Sequence, residues 1–416
     1  MSFFVFHPIR IAAVFAAIFL AQTSAGSLAA SAPEARNFYL NEDCPPSFML
    51  VGENSCQLVS LYQRYSSPKG FGGLRNPLPD ARSGFSPQEI DLGRYLFFDP
   101  LLSGDKKTSC AHCHHPDYGY ADGRGMAMGY GATGVGLARE GGVEIERAAP
   151  TLWNVGFLRR YFWDWRATSL EAQAEGPLYS GVEMGNTQAQ LEADINGNED
   201  YRRLFAVTFA LADDQPVEEA HIIRALVAFE TSLVSLNSRY DRYAHGDHDA
   251  LTAQEQAGHN IFRSFVARCS QCHTPPLFSN GELAVIGAPE PEGKAFDTGA
   301  DLIFPGMKLT GAFKVPTLRN ISRTAPYMHS GGLESLQDVV TFYNDTRGHA
   351  LPEDVDAVIH WHIADPKLRK EEEIALIAFL HTLEDETAAP VVPASVPSGL
   401  PVVPVAAATL TKSKNK

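Results

Sequence analysis

The stretch SCAHCHHPDYGY, residues 109–120, decides how the rest of the chain is read. It holds Cys110-Ala-His-Cys113-His114, and the same spacing returns as Cys269-Ser-Gln-Cys272-His273. Four of the six cysteines are thus spent on two copies of one pattern. A CxxC pair alone fits a redox dithiol or part of a zinc site. Zinc needs four ligands, however, and a thioredoxin-like dithiol sits in a strand–helix unit with no obligatory histidine behind it. CxxCH is the pattern that attaches a c-type haem, in which both thiols form thioethers and the adjoining histidine binds the iron from one side. Two copies read as two covalent c-type haems, one held by Cys110, Cys113 and His114 and the other by Cys269, Cys272 and His273.

The words around the two motifs repeat as well. Ser86-Pro-Gln-Glu89 and Thr252-Ala-Gln-Glu255 are capping boxes, with a hydroxyl at the N-cap and Glu three residues on. Each opens a helix ending in similar words, Gly93-Arg-Tyr-Leu-Phe97 and Gly258-His-Asn-Ile-Phe262, and each helix leads into a CxxCH. The segments 221–236 and 371–383 carry helical apolar spacing, whereas strand-like alternation is scarce. The expected fold is mostly α, with two cytochrome c-like domains, 86–245 and 246–387, each bearing one haem. An N-terminal extension, 26–85, precedes them. Its Cys44 and Cys56 have no following histidine and can close a small loop as a disulfide. From 388 to 416 the chain is rich in Pro, Ala and Val and reads as a disordered tail.

The 416 residues, 44% apolar, allow two or three compact domains. A formal charge of −15 argues against nucleic acid as a partner, because phosphate neutralisation needs a basic face. At the N-terminus Arg10 precedes the apolar run Ile11 to Ala21, followed by Thr23-Ser24-Ala25. That is the layout of a signal peptide over 1–25, with an apolar stretch too short to span a bilayer; an uncleaved anchor is the other reading of the same run. No other run is long and apolar enough to span. The mature chain is expected in the periplasm, where disulfides persist.

Taken together, GRYLFFDPLLSGDKKTSCAHCH (93–114), APTLWNVGF (149–157), YFWDWRATSLEAQAEGPL (161–178), VEMGN (182–186) and FKVPTLRNISRTAPYMHSGGLESLQDVVTFY (313–343) resemble the bacterial dihaem cytochrome c peroxidase superfamily in order and spacing. The resemblance runs from about residue 86 to 385. It implies a distal ligand for the second haem shortly after the TAPYMH segment. Ordinary peroxidases place Met there; the MauG branch, which oxidises tryptophans in a partner protein, places Tyr. The matching position is Tyr343, with Met328 as a competing ligand and a plain core aromatic as the bland alternative. A phenolate stabilises oxidised iron relative to a thioether, which favours keeping an oxidising equivalent on this haem.

For the first haem, relatives that need reductive activation carry a removable His in the loop after CxxCH. Here that loop, 123–136, has no His; Tyr130 stands near its place, with Met126 and Met128 close by. The expectation is iron held by His114 alone, open to peroxide on the other side, with His115 turned to solvent or to a propionate. Peroxide heterolysis needs a proton taken from one oxygen and given to the other. The family supplies Glu and Gln with a shaping Pro, matching Glu183, Gln173 and Pro177. It also places a Trp between the haems, matching Trp163, while Trp165 stands where relatives usually have Gly. An interdomain calcium would be held by the carbonyls of Thr324 and Pro326, and the matching Asn position holds Ala148, one oxygen ligand fewer.

The resemblance therefore implies a periplasmic dihaem oxidoreductase that takes hydrogen peroxide and oxidises a partner protein, with tryptophan as the target residue. The alternatives are a dihaem peroxidase fed by a small cytochrome or cupredoxin as electron donor, and a plain electron carrier.

Overall fold

A glycine at the crossing point of each of two helix pairs organises the chain. The computed structural model describes residues 38–66, 78–345, 351–353, 355–387 and 389–406, and the expected signal peptide, 1–25, lies outside them. The helices among the described residues are α1 (Leu61–Tyr65), α2 (Pro87–Phe98), α3 (Cys110–Cys113), α4 (Leu170–Tyr179), α5 (Gln188–Asn196), α6 (Glu199–Phe209), α7 (Glu219–Ser232), α8 (Arg239–Ala244), α9 (Ala253–Phe262), α10 (Cys269–Cys272), α11 (Leu336–Asn344) and α12 (Lys370–His381). Strands are few and short: β1 (Phe48–Val51) pairs antiparallel with β2 (Ser55–Leu58), and β3 (Leu283–Val285) with β4 (Ala312–Lys314).

Both capping boxes form. The Glu89 amide donates to Ser86 Oγ at 3.1 Å while the Ser86 amide donates to the Glu89 carboxylate at 2.6 Å; Thr252 and Glu255 exchange the same pair at 3.3 and 2.8 Å. These bonds satisfy amides that the first helical turn leaves without partners. The helices so started, α2 and α9, pack along α7 and α12 respectively. At Gly93 a Cβ would run into the Ala225 carbonyl, and at Gly258 into that of Ala375. The absent side chains are what let the paired backbones touch.

Behind each crossing lies an apolar core. One gathers Leu92, Leu96, Phe97, Leu226 and Phe229; the other gathers Phe262, Phe278, Leu376, Phe379 and Tyr240. Both belong to one compact unit that begins at Phe38. Phe97 meets Phe229 with ring centroids 5.0 Å apart, and Phe262 meets Phe379 at 5.2 Å. In the N-terminal extension Cys44 and Cys56 are disulfide-bonded, and the Cys56 amide donates to the Phe85 carbonyl at 2.8 Å, joining the β1–β2 hairpin to the start of α2.

The disordered tail expected over 388–416 is corrected for residues 389–406. Val392, Val396 and Val403 are buried in the first core. Ser398 Oγ donates to Asp99 at 2.6 Å, Asn198 Nδ2 donates to the Pro397 carbonyl at 3.2 Å, and the Ala406 amide donates to Asp117 at 2.7 Å. Proline fixes φ and lacks an N–H, so a Pro/Val string readily runs as an extended strap, and its valines need only a groove to fill. His115 is likewise corrected. It is buried rather than turned to solvent or a propionate, donating from Nε2 to the Pro404 carbonyl of the strap at 2.9 Å and accepting the Asp117 amide on Nδ1 at 3.2 Å. No helix among the described residues is long and apolar enough to cross a membrane.

Candidate active site

Cys110 and Cys113 open and close the single turn of α3, and the His114 amide donates to the Cys110 carbonyl at 2.9 Å. His114 Nδ1 lies 3.1 Å from the Tyr120 carbonyl. A carbonyl only accepts, so Nδ1 carries the proton and Nε2 keeps its lone pair for a ligand in the cavity that His114 lines. Burial holds this imidazole at about 4, hence neutral. Cys110 and Cys113 are free, and burial pushes the Cys113 thiol up to about 12.

The same cavity is lined by Trp163, Gln173, Pro177 and Glu183. Ser169 caps α4 by accepting the Ala172 amide at 3.1 Å, and residues 173 and 177, four apart, share one face of that helix. The turn after α4 carries Glu183, fixed by its amide donating to the Ser180 carbonyl at 3.0 Å and by the Met184 amide donating to that of Pro177 at 3.1 Å. Burial raises the Glu183 carboxyl above its ordinary range, with Arg166 partly opposing. Met126, Met128 and Tyr130 are not among the described residues that line this cavity. Tyr130 covers Gly185, where a Cβ would strike its ring, and the Met128 carbonyl accepts Arg139 Nε at 2.7 Å.

The second cavity repeats the proximal arrangement. His273 Nδ1 lies 3.1 Å from the carbonyls of both Phe278 and Pro316, again leaving Nε2 for a ligand, and burial lowers its pKa. Cys269, Cys272, His273, Met328 and Tyr343 all line it. Tyr343 sits in the last turn of α11, whose start is set by the Ser335–Asp338 capping box and whose end is tied to α12 by Asn344 Nδ2 donating to Glu373 at 2.8 Å. Burial, assisted by Cys269 and Cys272, pushes the Tyr343 phenol upward, an order that a bound cation inverts.

Trp163 lines both cavities and a third one between them. Its Nε1 donates to the Ala148 carbonyl at 2.9 Å, and its own carbonyl accepts the Lys314 amide at 2.7 Å. Trp165 stands at φ 66, a backbone conformation that glycine takes without penalty and that costs other residues about 1–2 kcal/mol, and its buried Nε1 has no partner. A glycine, which the resemblance implies at this position, would take this backbone conformation without strain. Thr324 and Pro326 line the third cavity together with Ala148, but its described lining includes no Asp or Glu, and Arg159, Arg160 and Lys314 add positive charge. A hard dication favours anionic oxygens, so these residues fit calcium poorly.

Two cavity residues escaped the sequence reading. Glu230 on α7 is 6% exposed, its Oε2 has no partner, and burial raises its carboxyl to about 8. Lys314 in β4 is 8% exposed and burial lowers its amine to about 8. The available signal was a lone charge within an apolar run, in AFETSLV and in FKVP. Free paired thiols and a neutral imidazole with an available lone pair, facing a largely apolar cavity, are what attachment of a c-type haem requires, and the residues fit it at both motifs.

The sequence profile of the di-haem cytochrome c peroxidase family matches residues 87–249. A methylamine utilization protein MauG from Methylorubrum extorquens is 31% identical over 336 residues, which is 81% of this chain and 88% of that relative. A cytochrome c551 peroxidase from Pseudomonas aeruginosa is 32% identical over 280 residues, 66% of this chain and 77% of that one. The crystal structure of a MauG-like protein associated with microbial copper homeostasis superposes with a TM-score of 0.66 at 30% identity, covering 76% of this chain and 95% of that one. With its two CxxCH sites on a helix-rich scaffold, this chain belongs to the dihaem cytochrome c peroxidase family and is a peroxidase-type oxidoreductase.

Proposed function

We propose that this is a periplasmic enzyme that reduces hydrogen peroxide at the first cavity and withdraws the two electrons from a partner protein, with tryptophan as the target side chain. Each apolar core carries one haem, the division falling near residue 246. Bound at His114 and His273, c-type haems would supply iron for peroxide cleavage and for one-electron transfer. The chain supplies the rest. Glu183, whose carboxyl burial raises above its ordinary range, takes the proton from one peroxide oxygen and returns it to the other, and Gln173 orients the bound peroxide by hydrogen bonding. The balance is peroxide plus two electrons and two protons giving two waters. Trp163, facing both cavities, is the bridge between them.

The observation that carries the partner-oxidising reading is the place of Tyr343 beside His273 and the two cysteines of the second cavity. The other reading, a peroxidase fed by a small cytochrome or cupredoxin, is favoured by Met328, which lines the same cavity. Stopped-flow mixing of the ferric protein with one equivalent of peroxide separates them, using Tyr343→Phe and Met328→Leu as comparisons. Immediate reaction without prior reduction, altered by Tyr343→Phe alone, and covalent change in a partner's aromatic residue support the proposal. Inert ferric protein, switched on by a reduced cytochrome and altered by Met328→Leu, returns the chain to the ordinary peroxidases. Because one structural relative is associated with copper homeostasis, copper-handling proteins belong among the partners tried.

A further inference from the structure

Only two described residues line all three cavities, Trp163 and Lys314. The Lys314 side chain is buried, yet its ammonium has neither a hydrogen bond nor an ion pair among the described residues. The acid whose charge it feels, Asp164, is already engaged by Arg147 at 2.6 Å and by Arg166 at 3.0 Å. Burying an ammonium without a partner is costly, and buried charges in folded proteins are for that reason generally paired. A cation held ready at the junction of three cavities therefore marks a place for an anion brought by something that binds there. The backbone fixes that place, since Lys314 lies in β4 with its amide bonded to the Trp163 carbonyl.

We infer that Lys314 is a carboxylate anchor shared by the two haem cavities: its ammonium receives propionate groups of the haems held at His114 and at His273, so that a single positive charge serves both. This rests on the proposed reading of both motifs as haem sites. A fixed cation in a low-dielectric site favours the reduced form of an iron nearby, so a shared cation raises the reduction potential of both centres together.

The test compares the parent holoprotein with Lys314→Met and Lys314→Arg. Intact mass is measured first, then each haem is titrated by spectroelectrochemistry. Thioether bonds keep both haems in every variant; in Lys314→Met both midpoint potentials move negative, and Lys314→Arg stays near the parent. Unchanged potentials in Lys314→Met, or movement of only one, overturn the shared anchor. Should Lys314→Met not accumulate, Lys314→Gln replaces it against Lys314→Arg, with the same two outcomes decisive. A parent chain lacking the mass of two haems refutes the haem reading itself, and is seen before any potential is measured.

Discussion

Adding one methyl group at Gly258 should cost more than the helix gains from it. A Cβ there would lie 2.8 Å from Cβ of Phe379 and overlap the Ala375 carbonyl; at Gly93 the corresponding neighbours are Cβ of Phe229, at 2.9 Å, and the Ala225 carbonyl. Carbon atoms pack best at about 3.5–4.0 Å, so each helix pair must open by close to ~1 Å. A carbonyl in a helix cannot rotate aside as a surface side chain can, which places the penalty toward the upper end of the ~1–3 kcal/mol typical of overpacking. Against this, alanine is favoured over glycine in a helix interior by only about 1 kcal/mol. The sum is a net loss of about 1–2 kcal/mol for Gly258→Ala or Gly93→Ala, and near-additivity within about 0.5 kcal/mol for the pair, because the crossings lie in separate cores. Gly181, with nothing within 4 Å of its notional Cβ, is the control, and Gly181→Ala should be neutral or gain a few tenths of a kcal/mol by about the usual unfolded-state effect. Urea unfolding followed by far-ultraviolet dichroism reads the differences. A Gly258→Ala protein as stable as its parent would mean that the close crossing of α9 and α12 does not hold the second core.

Glu183→Gln keeps the shape of the side chain and removes its proton exchange, so peroxide turnover should fall by roughly a hundredfold while both resting haem spectra stay as they are; unchanged peroxide kinetics would relegate Glu183 to the cavity wall. Trp163→Phe should still admit peroxide but slow the transfer of oxidising equivalents between the centres, read by the lag between spectral changes at the two haems, and equal rates would remove Trp163 from the path. Ending the chain at 388 exposes the groove that holds Val392, Val396 and Val403 and frees His115, so the truncated protein should unfold at lower urea and lose amide protection around residues 115–118; identical unfolding curves would show that the strap contributes nothing.

What was legible in the sequence was what short-range chemistry dictates. The two CxxCH motifs, the capping boxes at Ser86 and Thr252 and the repeated Gly93 and Gly258 words are each written within a few consecutive residues. The helices they start form as the pattern requires. What was hidden is what only the assembled chain supplies. The strap over 389–406 reads as disorder by composition, since nothing local records that a groove waits for its valines. His115 looks like a surface histidine because its acceptor, Pro404, lies 289 residues away. Lys314 and Glu230 went unmarked for the same reason: burial is a property of the neighbours, and a charge in an apolar run shows only that something must compensate it.

The repeated unit also shows how one plan yields two kinds of site. In both halves a single helical turn presents two thiols, and a histidine gives its Nδ1 proton to a carbonyl five or six residues further on. The proximal sides are thus near copies, and the difference lies across the cavity. The first cavity is faced by Gln173, Glu183, Glu230 and Arg166, groups that hold or move protons and tolerate a small polar guest. The second is walled largely by Leu336, Val339, Val340, Leu376 and Leu380, and no carboxyl group among the described residues lines it. Tyr343, Met328, His329 and His362 are side chains there able to ligate iron besides His273, and of these His329 Nε2 is held by Glu290 at 3.0 Å. Proton movement is costly against an apolar wall, whereas electron transfer needs no proton carrier. On the proposed reading, peroxide chemistry belongs where the carboxyl groups are, the second centre exchanges electrons alone, and Trp163 with Lys314 occupies the one place from which both can be served.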